Sequence, residues 1–208
     1  MRMVAVLAVL ACIGAAHAQT TEPYDFKGVQ LGITLGEFRG IAYPEDTTGW
    51  AFPPSDRSVD CRPAIYRAGA TTTCSWGPFA GEAPLVLGRS GRATRDYAFH
   101  FAPDVAGTER LFEIAVRGRV EGAGAVLAAL TEKFGSPASE TTVPVRTRAG
   151  QPLEQLLSIW QNAVSRIAVE SPAGDLHSMA ITFQHLPLSE LVESRYAAEE
   201  RARNPNPM

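Results

Sequence analysis

The chain has 208 residues, 45% of them hydrophobic, which is ample for a packed core in one domain or two small ones. Its 22 acidic and 19 basic side chains leave a net charge of −3, so bulk charge gives no reason to expect nucleic acid as a partner. Fifteen prolines and eighteen glycines point to many turns.

The first 18 residues, MRMVAVLAVLACIGAAHA, read as a secretory signal peptide. Arg2 makes a short basic start, an apolar run covers 4–16, and Ala16-His17-Ala18 forms an A-x-A cleavage site. That run is shorter than the about 20 apolar residues of a membrane span. Cys12 offers an alternative, a lipid anchor on an acylated cysteine. The apolar core before Cys12 is very short and apolar residues continue past it, which favours cleavage after Ala18. A small alanine-rich leader is bacterial in character, so the expected destination is the periplasm or the medium. Cleavage removes one arginine and no acid, taking the charge from −3 to −4. No second long apolar stretch follows, so no transmembrane segment is expected in the mature chain.

Residues 24–33 read as a short strand or extended lead-in. Thr34 and Glu37 then form a capping box for a helix whose apolar face carries Leu35, Phe38 and Ile41, and Pro44 stops it. The proline- and acid-rich segment 44–62 reads as a long surface loop. Cys61 and Cys74, at its far end, are the two cysteines left after cleavage. A zinc site would need more ligands with closer spacing, and a redox pair would read C-x-x-C, so a disulfide is expected. It would contribute about 3 kcal/mol by restricting the unfolded chain. Strands are expected near 63–67, 71–76 and 84–87.

The clearest strand covers 95–103, where Tyr97, Phe99 and Phe101 alternate with Ala98 and His100. After a turn at 103–108, Phe112, Ile114 and Val116 alternate with Glu113, Ala115 and Arg117, giving an antiparallel hairpin with one buried face. Val126, Leu127, Leu130 and Phe134 have helical spacing, and Lys133, Gly135 and Pro137 mark the end of that helix. Strands are expected near 141–147, 155–161, 165–170 and 178–186. A last helix has Ser189 as its expected cap and Leu188, Leu191, Val192 and Tyr196 as its apolar stripe, with a frayed tail after it.

The predicted fold class is α+β, with short helices packed on antiparallel sheet. It divides into 1–18 (signal peptide), 19–118 (a first α/β half with the tethered loop), 119–187 (a second half) and 188–208 (C-terminal helix and tail). FKGVQLGITLGEFRGIAYP, the cysteine pair and the helix ending EKFGSP resemble small secreted bacterial α/β proteins, in the layout of the beta-lactamase-inhibitor-protein fold and of outer-membrane-assembly lipoprotein domains. The two motif pieces cover about a fifth of the mature chain. The resemblance implies a helix-plus-sheet scaffold that binds a protein partner without catalysis, and it assigns no functional residue.

No catalytic constellation emerges. Gly88-Arg89-Ser90-Gly91 lacks the glycine two residues after serine that a nucleophile elbow requires. His177 and His185 lie about 26 Å apart if they share one extended strand, so no shared metal and no cofactor are expected. Two groups remain as candidates. Arg89, Arg92, Arg95, Arg117 and Arg119, with Arg110 nearby, would suit a carboxylate or phosphate if the hairpin gathers them. Trp50, Phe52 and Trp76 flank the tethered loop and would suit an interface. The expected role is a secreted or periplasmic, non-catalytic binding or envelope-associated protein whose partner is an envelope protein or an anionic ligand. The alternatives are a periplasmic enzyme of unrecognised type and a small-ligand carrier.

Overall fold

The computed structural model describes residues 23–41, 59–64, 69–76, 97–146 and 150–204. It begins with β1 (Asp25–Phe26) and β2 (Val29–Gln30), joined by a two-residue turn. Lys27 and Gly28 both have positive φ (52° and 80°), the backbone twist that suits a tight antiparallel hairpin. α1 (Leu35–Gly40) starts with the capping box read from Thr34 and Glu37. The Glu37 amide donates to Thr34 Oγ1 at 3.2 Å, and the Thr34 amide donates to the Glu37 carboxylate at 2.7 Å. The Thr34 amide, and then the Thr34 hydroxyl, both donating to this carboxylate, hold the Glu37 carboxyl below its ordinary range.

Among the described residues, eight strands form one antiparallel sheet. They are β3 (Val59–Pro63), β4 (Thr72–Trp76), β5 (Tyr97–Pro103), β6 (Glu109–Arg119), β7 (Ser139–Arg146), β8 (Pro152–Gln161), β9 (Ser165–Ser171) and β10 (Ser178–His185). Their spatial order is β3-β4-β5-β6-β10-β9-β8-β7. Two four-stranded meanders therefore meet through their last strands, β6 and β10. α1 precedes the first meander, and α2 (Ala123–Phe134) precedes the second. Strand dominates helix, so the described chain is mainly antiparallel sheet with three α-helices.

One face of the sheet holds the main core. Phe99, Phe101, Leu111, Ile114, Val116, Ile167, Val169, Met179, Ile181 and Phe183 point into it from the strands. Tyr24, Phe26, Val29 and Leu31 cover them from the N-terminal hairpin, Leu35 and Phe38 from α1, and Val126 and Leu130 from α2. The Phe38 ring lies 4.7 Å from that of Phe99 and 5.3 Å from that of Phe101, tilted in both cases. This explains why Phe99 and Phe101 stand two apart: every second residue faces the same helix.

α3 (Leu186–Arg203) crosses one end of the opposite face, where Val192 and Leu188 pack on Phe112 and Ala102. A β-bulge makes this contact. The register slips between His100 and Phe101, so Phe112 is the extra residue on β6 and turns to the α3 side. Alternation alone puts Phe112 on a face with Ile114 and Val116; the bulge takes it out of that row.

Three further expectations change. Residues 59–62, which fall within the expected loop, belong to strand β3, because Val59 and Cys61 pack on the core and pair with Trp76 and Cys74. The cap of α3 is His185, whose Nδ1 accepts the Leu188 amide at 3.4 Å; Ser189 lies inside the helix and is buried. The helix starts earlier because β10 runs directly into Leu186-Pro187, and proline in the first turn forgoes an amide that has no partner there anyway. The strand expected near 63–67 lies N-terminal of that position as far as the described residues go, and the one at 84–87 lies outside them.

Cys61 and Cys74 form the expected disulfide, directly opposite each other on β3 and β4. Among the described residues, no helix is long and apolar enough to cross a membrane.

Candidate functional site

The face that α3 only partly covers carries three rows of side chains running across the strands. Antiparallel pairing puts opposed residues on one face, so the register fixes each row. The row nearest α3 reads Thr73, His100, Glu113, Gln184, Arg166, Gln161 across β4, β5, β6, β10, β9 and β8. Beside it run Ala98, Ala115, Thr182, Ala168, Ile159 and Ser139. The third row is Arg117, Ala180, Glu170, Leu157 and Thr141.

The middle row is shortest at Ala98, Ala115 and Ala168 on β5, β6 and β9, and gives way to the larger Ile159 on β8. Ala98, Ala115, Thr182 and Ala168 are only half-buried, so they floor a shallow trough. From Ala98 to Ala168 it crosses four strands, about 14 Å at normal strand spacing.

The first row is a hydrogen-bonded polar ladder. Thr73 Oγ1 lies 3.0 Å from His100 Nδ1, and Gln184 Nε2 donates to the Glu113 carboxylate at 3.3 Å. His100 is 9% exposed and Glu113 6%, so both polar groups are buried. The Phe112 ring centroid is 6.5 Å from that of His100 and closes the ladder toward α3. Arg166 continues the row. Its Nε is buried, and among the described residues nothing accepts a hydrogen bond from it. The Arg166 side chain also lines a depression of about 530 Å³, with Ala138, Ser139, Ile159, Gln161 and Asn162, at the β7 end of the sheet.

A second depression, about 520 Å³, lies at the start of α3 between Asp104, Val105, His185, Leu188 and Leu191. The turn beside it is rigidly tied. Asp104 accepts the amides of Ala106 (2.8 Å) and Thr108 (3.0 Å) and the Arg110 Nε (2.8 Å). Arg195 donates to the carbonyls of Pro103 and Asp104 at 2.5 and 3.0 Å. The Arg110 hydrogen bond and those amides hold the Asp104 carboxyl below its usual range.

Of the predicted arginines and aromatics, Arg110, Arg117, Arg119 and Trp76 fall within the described residues. Arg117 and Arg119 lie on one strand, two residues apart. Arg119 makes two 3.1 Å hydrogen bonds to Glu121, which absorbs its charge locally, whereas Arg117 stands exposed on the trough wall. Arg110, paired with Asp104, also donates to the Gly32 carbonyl at 3.0 Å. Arg89, Arg92, Arg95, Trp50 and Phe52 lie outside the described residues, and Trp76 ends β4 opposite Val59.

Sequence reasoning missed the row from His100 to Arg166. A partial signal existed: each of these residues occupies the polar phase of an alternating strand. What joins them is pairing between strands far apart in sequence. Among the described residues no group of three or more His, Cys, Asp or Glu side chains could hold a metal ion.

No family model, no curated protein and no solved structure matches this chain.

Proposed function

We propose that this chain is a secreted or periplasmic, non-catalytic binding protein that holds an acidic envelope protein on the face of its sheet that α3 packs against. The observation that carries the reading is the strip Ala98–Ala115–Thr182–Ala168, short side chains across four adjacent strands beside the polar row from Thr73 to Gln161. A face used only to pack a helix would carry large apolar side chains there, as the opposite face does. Small residues let a partner backbone or side chains approach closely, and the walls supply donors and acceptors for register. Two guanidiniums on this face, Arg117 and Arg166, make no ion pair with the described residues, which suits a partner bearing carboxylates. The disulfide supports an oxidising compartment.

The test is capture from envelope extract by the mature protein, compared with Ala115→Trp, which fills the trough at its centre. A partner held by the wild type and depleted at least tenfold with the folded variant supports the reading. Identical capture by both proteins overturns it.

A further inference from the structure

We infer that the depression at the β7 end of the sheet is a carboxylate-binding site built around Arg166. The inference rests on the binding role above and names the chemistry of one end of that surface. Arg166 is half-buried on β9 between Gln161 on β8 and Gln184 on β10, two neutral side chains. The Gln184 amide is turned to Glu113, one strand further away, about 10 Å from β9. No carboxylate of the described residues pairs with Arg166, and its Nε is enclosed without an acceptor. The same side chain lines the depression, and a guanidinium presents a planar set of donors that a carboxylate matches with its oxygens.

The surroundings specify the ligand further. The depression holds one cation and otherwise neutral groups: the Ser139 hydroxyl, the Gln161 amide, and apolar surface from Ala138 and Ile159. The Asn162 side-chain oxygen is already committed to the turn, accepting from the amides of Val164 (2.9 Å) and Ser165 (2.7 Å) and from Ser165 Oγ (3.0 Å). A single guanidinium balances a monoanion. A phosphate monoester, carrying between about one and a half and two negative charges, would be left undercompensated. The fitting group is therefore a carboxylate on a short aliphatic carbon, which Ile159 and Ala138 would contact. Two sources share this chemistry, a free aliphatic acid and the terminus of a polypeptide lying along the strip.

The experiment follows amide and arginine Nε–H signals of the mature protein in NMR titrations. The probes are butyrate, butyramide, inorganic phosphate, and an alanine pentapeptide with a free or an amidated C-terminus. Butyrate is expected to give saturable shifts at Arg166, Gln161 and Ser139, with butyramide silent and phosphate weaker. Arg166→Gln should lower butyrate affinity at least tenfold. Ser139→Ala, an exposed change that leaves the strands intact, should lower it several-fold. A free-terminus peptide binding tenfold more tightly than butyrate, with that gain removed by Ala115→Trp, assigns the site to a polypeptide terminus; equal affinities assign it to a small acid. The inference is overturned if neither carboxylate gives saturable shifts, if butyramide matches butyrate, or if Arg166→Gln leaves affinity unchanged. Those failures leave the envelope-capture result intact, so the two readings fall separately.

Discussion

Trp160 Nε1 donates to the Gly135 carbonyl at 2.7 Å, which ties the end of α2 to β8. Gly135 closes the helix with a φ of 81°, a left-handed conformation that a side chain would strain, and its amide returns to the Thr131 carbonyl at 2.9 Å. The indole is 2% exposed and packs in the main core, so one side chain both fills volume and satisfies a carbonyl beyond the helix end. Trp160→Phe removes the donor and part of the ring. A loss of about 2–3 kcal/mol is expected in urea unfolding followed by far-ultraviolet circular dichroism. A change within experimental error would show that this contact does not fix α2.

Cys61 and Cys74 close a loop with a sequence separation of 13 between edge strand β3 and β4. Replacing both with alanine should cost about 3 kcal/mol, chiefly through the freer unfolded chain. The same shift should appear in the wild type on addition of reductant, and none in the double variant. A double variant as stable as the oxidised protein would refute this role.

His185 makes α3 sensitive to acid. Its ring lies against Gly32, where an added Cβ would meet the ring carbon at 3.1 Å and Nε2 at 3.2 Å, and its Nδ1 must be unprotonated to accept the Leu188 amide. Burial pushes its pKa down, and the nearby Arg110 charge acts in the same direction; Asp104 and Glu190 line the same depression. With the folded value below the ordinary 6.5, the unfolded chain binds the proton more readily. The stabilisation is therefore complete above about pH 6.5 and is lost progressively as pH falls from there through the folded value. Denaturation midpoints at pH 7.5 and 5.5 should differ more for the wild type than for His185→Asn, which can still cap the helix. Equal differences in the two proteins would remove His185 as the cause.

Gly69 has a φ of 76°, and a Cβ there would collide with Val192 Cγ1 of α3. Gly69→Ala should cost about 1–3 kcal/mol, through the unfavourable backbone and the overpacked contact. Val192→Ala in the same chain should recover part of that loss. Additive effects of the two changes would show that the residues do not meet.

Much of the local structure was legible before folding was considered. The capping box of Thr34 and Glu37, the stop after Phe134, the alternation through Tyr97–Pro103 and the disulfide all depend on residues a few positions apart or on counting cysteines. Short-range backbone preferences and periodicity are properties of the sequence itself, so they survive any tertiary arrangement. The α+β expectation agrees with the described chain in its antiparallel sheet and C-terminal helix, with helix the smaller part, while a segment such as 59–62, which looks like loop, joins the sheet by pairing.

The trough was decided only by tertiary structure. His100, Glu113, Gln184 and Arg166 come into one row because β6 pairs with β10, which sets Glu113 opposite Gln184, 71 positions further along the chain. One bulge at Phe112 then sets the phase of β5 against β6. A slip of one residue in either pairing would send these side chains to the opposite face. The same long-range packing moved the α3 cap from Ser189 to His185. It also placed Arg166, absent from the arginine group read along the chain, at the depression beside β7. Periodicity along the chain determines which residues alternate; cross-strand register, set by burying one whole face, determines which of them meet.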